Sequence, residues 1–199
     1  MTNMYRENRK SINAQVGCRH KCVYCTPSFQ RQAKRQKNRC WECYFFNPHF
    51  HSERLLKAPP KTKGDEFVFF PSMGDPAFAN SDDIEAMIAY AREYPNTKFL
   101  MQTKAPAFLY DHDFPTNIIL GITLETDKKD FDTPSLYKTY GQISSALEPA
   151  SRAREFVCAQ PQNRIVTIEP ILQFDLNEFV VIIRSINPQV VYVGYDNHN

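Results

Sequence analysis

Three of the chain's six cysteines, Cys18, Cys22 and Cys25, share eight positions in the spacing C-x3-C-x2-C. A disulfide takes two cysteines and a closed zinc site takes four protein ligands. Thiolates also hold iron–sulfur clusters, and a cubane cluster has four irons. Three cysteines on one short loop can ligate three irons and leave the fourth open to a non-protein ligand. A catalytic zinc keeps one position for chemistry in the same way. Two other readings stay open: a zinc site completed by Cys40 or a histidine, and an electron-transfer cluster with a remote fourth cysteine.

A second set follows. Cys40 and Cys43 form C-x2-C, with His49 and His51 close behind, so four soft or borderline ligands fall within twelve residues. They could bind zinc, help hold an auxiliary cluster, or stay a reduced structural or redox pair. Trp41, Tyr44, Phe45, Phe46 and Phe50 surround them and are expected to cover the flank of the body, with stacking on nucleic-acid bases as the alternative. Five basic residues precede them between Arg31 and Arg39. The sixth cysteine, Cys158, reads as a thiol buried in a helix.

Short apolar runs recur that could position these groups: INAQVG (12–17), EFVFFP (66–71), KFLMQT (98–103), NIILGIT (117–123), RIVTIEP (164–170) and QVVYVG (189–194). They are near-continuously apolar, as strands buried on both faces of a parallel sheet are. Helical patterns separate several of them. SDDIEAMIAYAREY (81–94) carries an apolar stripe behind Ser81 as candidate cap, Pro149 can open a helix, and Asp175 with Glu178 resembles a capping pair. A single helical turn is expected near 105–110. This alternation predicts an α/β fold, as a partial TIM barrel (β/α)6 or an open doubly wound sheet. One domain over 12–199 is expected, with an N-terminal arm at 1–11 and a basic, cysteine-containing insertion at about 26–64. The chain ends just past the sixth strand, so the barrel is expected to be truncated there. In either architecture chemistry gathers at the carboxyl ends of the strands. The cysteine loop, SMGDP (72–76), Lys104, Thr123 and Glu125 fall at those ends.

C-x3-C-x2-C after the first strand, with Tyr24 directly before the third cysteine, resembles the radical S-adenosylmethionine superfamily. The similarity runs from about Asn13 to Asn199. It is greatest to small members from phage and prokaryotic genomes and more distant to spore photoproduct lyase, a DNA-repair member. The resemblance implies a (β/α)6 partial barrel and a [4Fe–4S] cluster on the three cysteines. S-adenosylmethionine would sit on the open iron and be cleaved reductively to methionine and a 5′-deoxyadenosyl radical that abstracts hydrogen from a substrate. It implies that Ser72, Met73, Gly74 and Asp75 occupy the place of a Gly-Gly-Glu-type motif that receives the methionine amino group. Gly74 and Asp75 match that motif in kind, and Met73 departs from it. Lys104 would meet the methionine carboxylate, and Thr123 or Glu125 the ribose. An electron donor of flavodoxin or ferredoxin type would be the partner.

Charge is divided along the chain. Residues 1–64 carry 14 Lys and Arg against three acids, a net of +11, and the remainder carries 10 against 19, a net of −9. The basic segment could attract a nucleic-acid substrate, or be a solvated face paired with the acidic body. The first ten residues, MTNMYRENRK, lack the apolar core of a signal peptide, and no apolar run approaches the ~18 residues of a membrane span. A cytoplasmic protein without membrane contact is expected, with its cysteines as ligands or thiols rather than disulfides. Two other function classes remain: an iron–sulfur electron carrier, and a zinc-stabilised nucleic-acid-binding module.

Overall fold

The apolar runs assemble into a curled six-stranded sheet whose strands are all parallel. A computed structural model describes residues 4–25, 29–133 and 135–194. The sheet begins with β1 (Asn8–Ser11). A separate short strand, β2 (Gln15–Val16), leads directly into the cysteine loop. The insertion contains α1 (Phe29–Lys34), α2 (Trp41–Phe45) and β3 (His49–Phe50). The main sheet resumes with β4 (Phe67–Phe69), followed by α3 (Ser81–Glu93), β5 (Phe99–Thr103) and β6 (Ile118–Thr123). It ends with α4 (Pro149–Cys158), β7 (Arg164–Ile168), α5 (Leu176–Ile186) and β8 (Val190–Val193). The residues from Tyr195 to Asn199, expected beyond the sixth strand, lie outside the described part.

Spatial order follows chain order, β1-β4-β5-β6-β7-β8, and every neighbouring pair is parallel. A doubly wound sheet would reverse its order at a switch point. The sequential order therefore selects the partial barrel, an α/β fold of (β/α)6 type. Alternate side chains divide between two faces. Val68, Phe99, Met101, Ile122 and Val166 pack under the helices with Met87, Ile88, Phe156 and Phe179. On the other face, Phe67, Leu100 and Ile165 gather with Tyr5, Phe69, Ile119 and Tyr192. Burying each large apolar side chain contributes about 1.5–3 kcal/mol.

The helix starts follow their caps. Asn80, one residue before the expected Ser81, accepts from Asp83 N at 2.8 Å, and Asp175 accepts from the amides of Asn177 and Glu178. Pro149 opens α4, and the turn expected near 105–110 is a 3₁₀ segment over Pro106–Asp111.

The first strand departs from expectation. The barrel strand is Asn8–Ser11, inside the segment read as an arm, whereas 15–16 pairs antiparallel with β3 in its own two-stranded sheet. The reason is burial: β1 lies at a sheet edge and is polar and part-exposed, while Ala14, Gln15 and Val16 are buried because the insertion folds over them. Gly17 follows at φ +91°, and a Cβ there would stand 2.2 Å from the Asn47 carbonyl oxygen. Only glycine satisfies both the backbone angle and that approach. Among the described residues no helix is long and apolar enough to cross a membrane.

Candidate functional site

The cysteine loop is tied down at the carboxyl edge of the sheet by backbone bonds on two sides. Gly17 N–H donates to Met73 O at 2.9 Å, and Asp75 N–H donates to Gly17 O at 3.2 Å. Across the loop, Val23 N–H donates to Ile143 O and Ser145 N–H to His20 O. The three cysteines are thus presented on a fixed scaffold. Cys18 Sγ accepts from His20 N–H at 3.4 Å, and Cys22 Sγ lies 3.1 Å from Ser144 Oγ and 3.6 Å from Lys104 Nζ. Burial and then the Asp75 carboxylate push the Cys18 thiol upward. Burial and then Cys22 push Cys25 up to about 11, against the pull of Lys104. A thiol held high in this way ionises when a cation binds it.

Asp75 is a structural hub. Its Oδ1 accepts from Ala77 N at 3.0 Å and from the Thr103 hydroxyl at 2.6 Å; its Oδ2 accepts from Lys104 N at 2.8 Å and faces His20 Nε2 at 3.0 Å. All four acceptor positions are taken. Burial works to raise its pKa, but His20 and the hydroxyl and amide donors hold it below the ordinary carboxylate value. Gly74 serves backbone packing too, since a Cβ there would lie 2.9 Å from Gly17 O. Both residues hold the cysteine loop to the strand ends. Ser72 N, Ser72 Oγ and Met73 N all donate to Asn13 Oδ1, which fixes the rest of the turn.

Lys104, Glu125 and Tyr24 meet in a second buried network. Glu125 is fully buried. It accepts from Lys104 Nζ at 2.5 Å, from Arg152, from the Tyr24 hydroxyl, and from Tyr140 OH at 3.3 Å. Lys104 also bonds the Tyr24 hydroxyl, and Arg152 Nη1 donates to Tyr140 OH at 3.0 Å. Burial raises the Glu125 pKa, but Arg152 and then Lys104 outweigh it and bring the value down to about 2. Two cations against one carboxylate leave a surplus positive charge beside Cys22. Thr123 belongs to a different group: its hydroxyl accepts from Gln102 Nε2 at 2.5 Å and lies 3.1 Å from Thr167 Oγ1, while Tyr5 OH donates to Gln102 Oε1 at 3.0 Å.

His20, Tyr140 and Arg152 escaped the sequence reading. The signal for Arg152 was its place on the buried stripe of α4 with Pro149, Ala153 and Phe156, since an arginine is buried only when paired.

Cys40, Cys43, His49 and His51 come together elsewhere, with their ligand atoms all within 4.8 Å of one another. Cys40 therefore does not complete the three-cysteine loop. Of the aromatics around them, Phe46 is buried and Phe50 packs against the main core, as expected. Trp41 and Phe45 are exposed instead and cluster with Tyr44, beneath Lys37. Cys158 is exposed at the end of α4, not buried.

No protein-family model matches the chain, and no curated protein matches it by sequence. Among solved structures it is similar to a spore photoproduct lyase mutant bound to a dinucleoside spore photoproduct. The TM-score is 0.57 at 12% identity, over 88% of this chain and 51% of the other. The chain spans about half the length of that protein, and the likeness is one of fold.

Proposed function

We propose that the chain is a radical S-adenosylmethionine enzyme, with a [4Fe–4S] cluster on Cys18, Cys22 and Cys25 and S-adenosylmethionine at the open iron. The observation that carries this reading is the place of the three thiols, on one braced loop at the carboxyl edge of a six-stranded parallel half-barrel. The fold comparison supports the same superfamily that the motif resembles. The donor set fits: the thiols lie among His20 N–H, Ser144 Oγ and Lys104 Nζ, and the fourth cysteine and both nearby histidines of the insertion are engaged elsewhere. Bound there, the pair would supply reductive cleavage of a sulfonium to a 5′-deoxyadenosyl radical.

The chain's own residues divide the remaining work. Lys104 and Arg152 offset thiolate charge through the surplus beside Cys22. Glu125, enclosed by its partners, positions Lys104 and Tyr24. Asp75 positions the loop, and capture of the methionine amino group falls to the backbone of Ser72–Gly74.

Resonance spectroscopy tests cofactor binding. The anaerobically reconstituted, dithionite-reduced chain should show a [4Fe–4S]⁺ signal whose g-values move when S-adenosylmethionine is added. An unmoved signal on a fully loaded cluster would favour the electron carrier.

A further inference from the structure

We propose that Cys40, Cys43, His49 and His51 bind one structural Zn²⁺, and that this metal holds the root of the three-cysteine loop in register. Each histidine's tautomer is set by its outer hydrogen-bond partner. His49 Nδ1 lies 2.7 Å from the Asn47 carbonyl oxygen, and His51 Nδ1 lies 2.8 Å from Glu53 Oε1. A carbonyl and a carboxylate only accept, so each Nδ1 carries the proton and each neutral ring leaves a lone pair at Nε2. Those two Nε2 atoms face each other at 2.8 Å. Two lone pairs at that distance repel, and a cation between them turns the repulsion into coordination.

The sulfurs close the set. Cys40 Sγ lies 3.3 Å from His49 Nε2, and Cys43 Sγ lies 3.3 Å from His49 Nε2 and 3.2 Å from His51 Nε2. Ligands at the zinc–nitrogen and zinc–sulfur distances of one tetrahedral ion stand roughly 3.3–3.8 Å apart, so the sulfur–nitrogen spacings already approach those of one ion and the two Nε2 atoms, at 2.8 Å, move slightly apart on binding it. A two-iron cluster with mixed ligands puts its histidines and its cysteines on different irons. Here each histidine nitrogen touches a cysteine sulfur, which fits a single ion. Ring orientation is already supplied by Asn47 O and Glu53, the outer partners that a ligating histidine ordinarily has. The Cys43 amide donates to Cys40 Sγ at 3.4 Å, which steadies that thiolate.

Four protein ligands make a closed site, so the role is structural. Its position says what it supports. Asn47 and Pro48, just before His49, press on Gly17, just before Cys18. His51 N–H donates to Ala14 O at 2.7 Å, and β3 pairs with β2. Arg54 Nη1 donates to Asn13 O, and Asn13 in turn holds Ser72 and Met73. The metal would thus fasten a five-residue helix and a two-residue strand, which cannot hold themselves, against the segment that enters the cysteine loop.

The test uses the full-length chain carrying C18A, C22A and C25A, so that loop thiols take up no metal. Elemental analysis should give one zinc per chain in this variant. Cobalt substitution should give the visible ligand-field bands and thiolate charge transfer of a tetrahedral two-sulfur, two-nitrogen site. Adding Cys40→Ser and Cys43→Ser should abolish both. Chelating the zinc should speed hydrogen exchange at the Gly17, His51 and Asp75 amides by ~10-fold or more, while the centre of β6 changes little. Absence of metal, iron in place of zinc, or zinc retained after both serine substitutions would overturn the site. Unchanged exchange would overturn its anchoring role. If the serine variant fails to fold, a cobalt titration of the chelated triple-alanine chain still decides, because a spectrum without thiolate charge transfer excludes these ligands.

Discussion

Glu125→Gln should destabilise the chain by about 3–5 kcal/mol, the usual cost of stripping one partner from a buried ion pair. The carboxylate is fully buried between Lys104 and Arg152, and its loss leaves two cations facing each other without compensation. Urea unfolding at neutral pH measures this as a fall in midpoint at constant slope. Glu125→Gln combined with Arg152→Met should recover a large part of the loss, because one uncompensated charge goes with it. The pH dependence has a definite sign. Glu125 is held near 2 against an ordinary value of 4.5, so the unfolded chain binds its proton first. Its stabilisation is complete above about pH 4.5 and disappears as pH falls towards 2. The variant should lack that part of the acid transition and keep the part due to Asp75. A variant as stable as the parent, with the same acid profile, would show that the network is not electrostatically important.

Replacing Cys18, Cys22 and Cys25 together by alanine should reduce iron in the anaerobically reconstituted chain from about four per molecule to near zero. The zinc content should stay unchanged, because the two ligand sets share no residue. Each single replacement should also remove most of the iron if, as proposed, the loop supplies all the protein ligands. Iron persisting in the triple variant, with its absorbance, would contradict the assignment. Iron lost together with zinc would show that the sites depend on one another's metal.

The sequence showed the fold well where burial was two-sided. Five of the six barrel strands are continuous apolar runs, and α3, α4 and α5 begin within a residue of recognisable caps. It concealed β1, because NRKS lies at an edge with polar side chains outward and shows no period. It also placed INAQVG in the wrong sheet, since that segment is buried by the insertion and not by the barrel. The two cysteine sets were legible as sets because their members are close in sequence. The charged networks were not: Glu125 meets a partner 27 residues away, and Asp75 one 55 residues away. Such pairs leave no local pattern, only an arginine on an apolar stripe and a carboxylate at a strand end. This also explains why Asp75, Glu125 and Lys104, expected as cofactor contacts, prove to be committed to one another and to the loop. Thr123 of that group is buried in a separate set with Gln102 and Thr167.

The central claim is that the three thiols leave one iron for S-adenosylmethionine, and product analysis tests it most directly. The iron-loaded chain is incubated anaerobically with S-adenosylmethionine and dithionite, and the mixture is analysed by mass spectrometry. Slow formation of 5′-deoxyadenosine and methionine in equal amounts is expected, dependent on the reductant and absent from the C18A, C22A and C25A variant. A chain with its full complement of iron that leaves S-adenosylmethionine intact under those conditions would contradict the account.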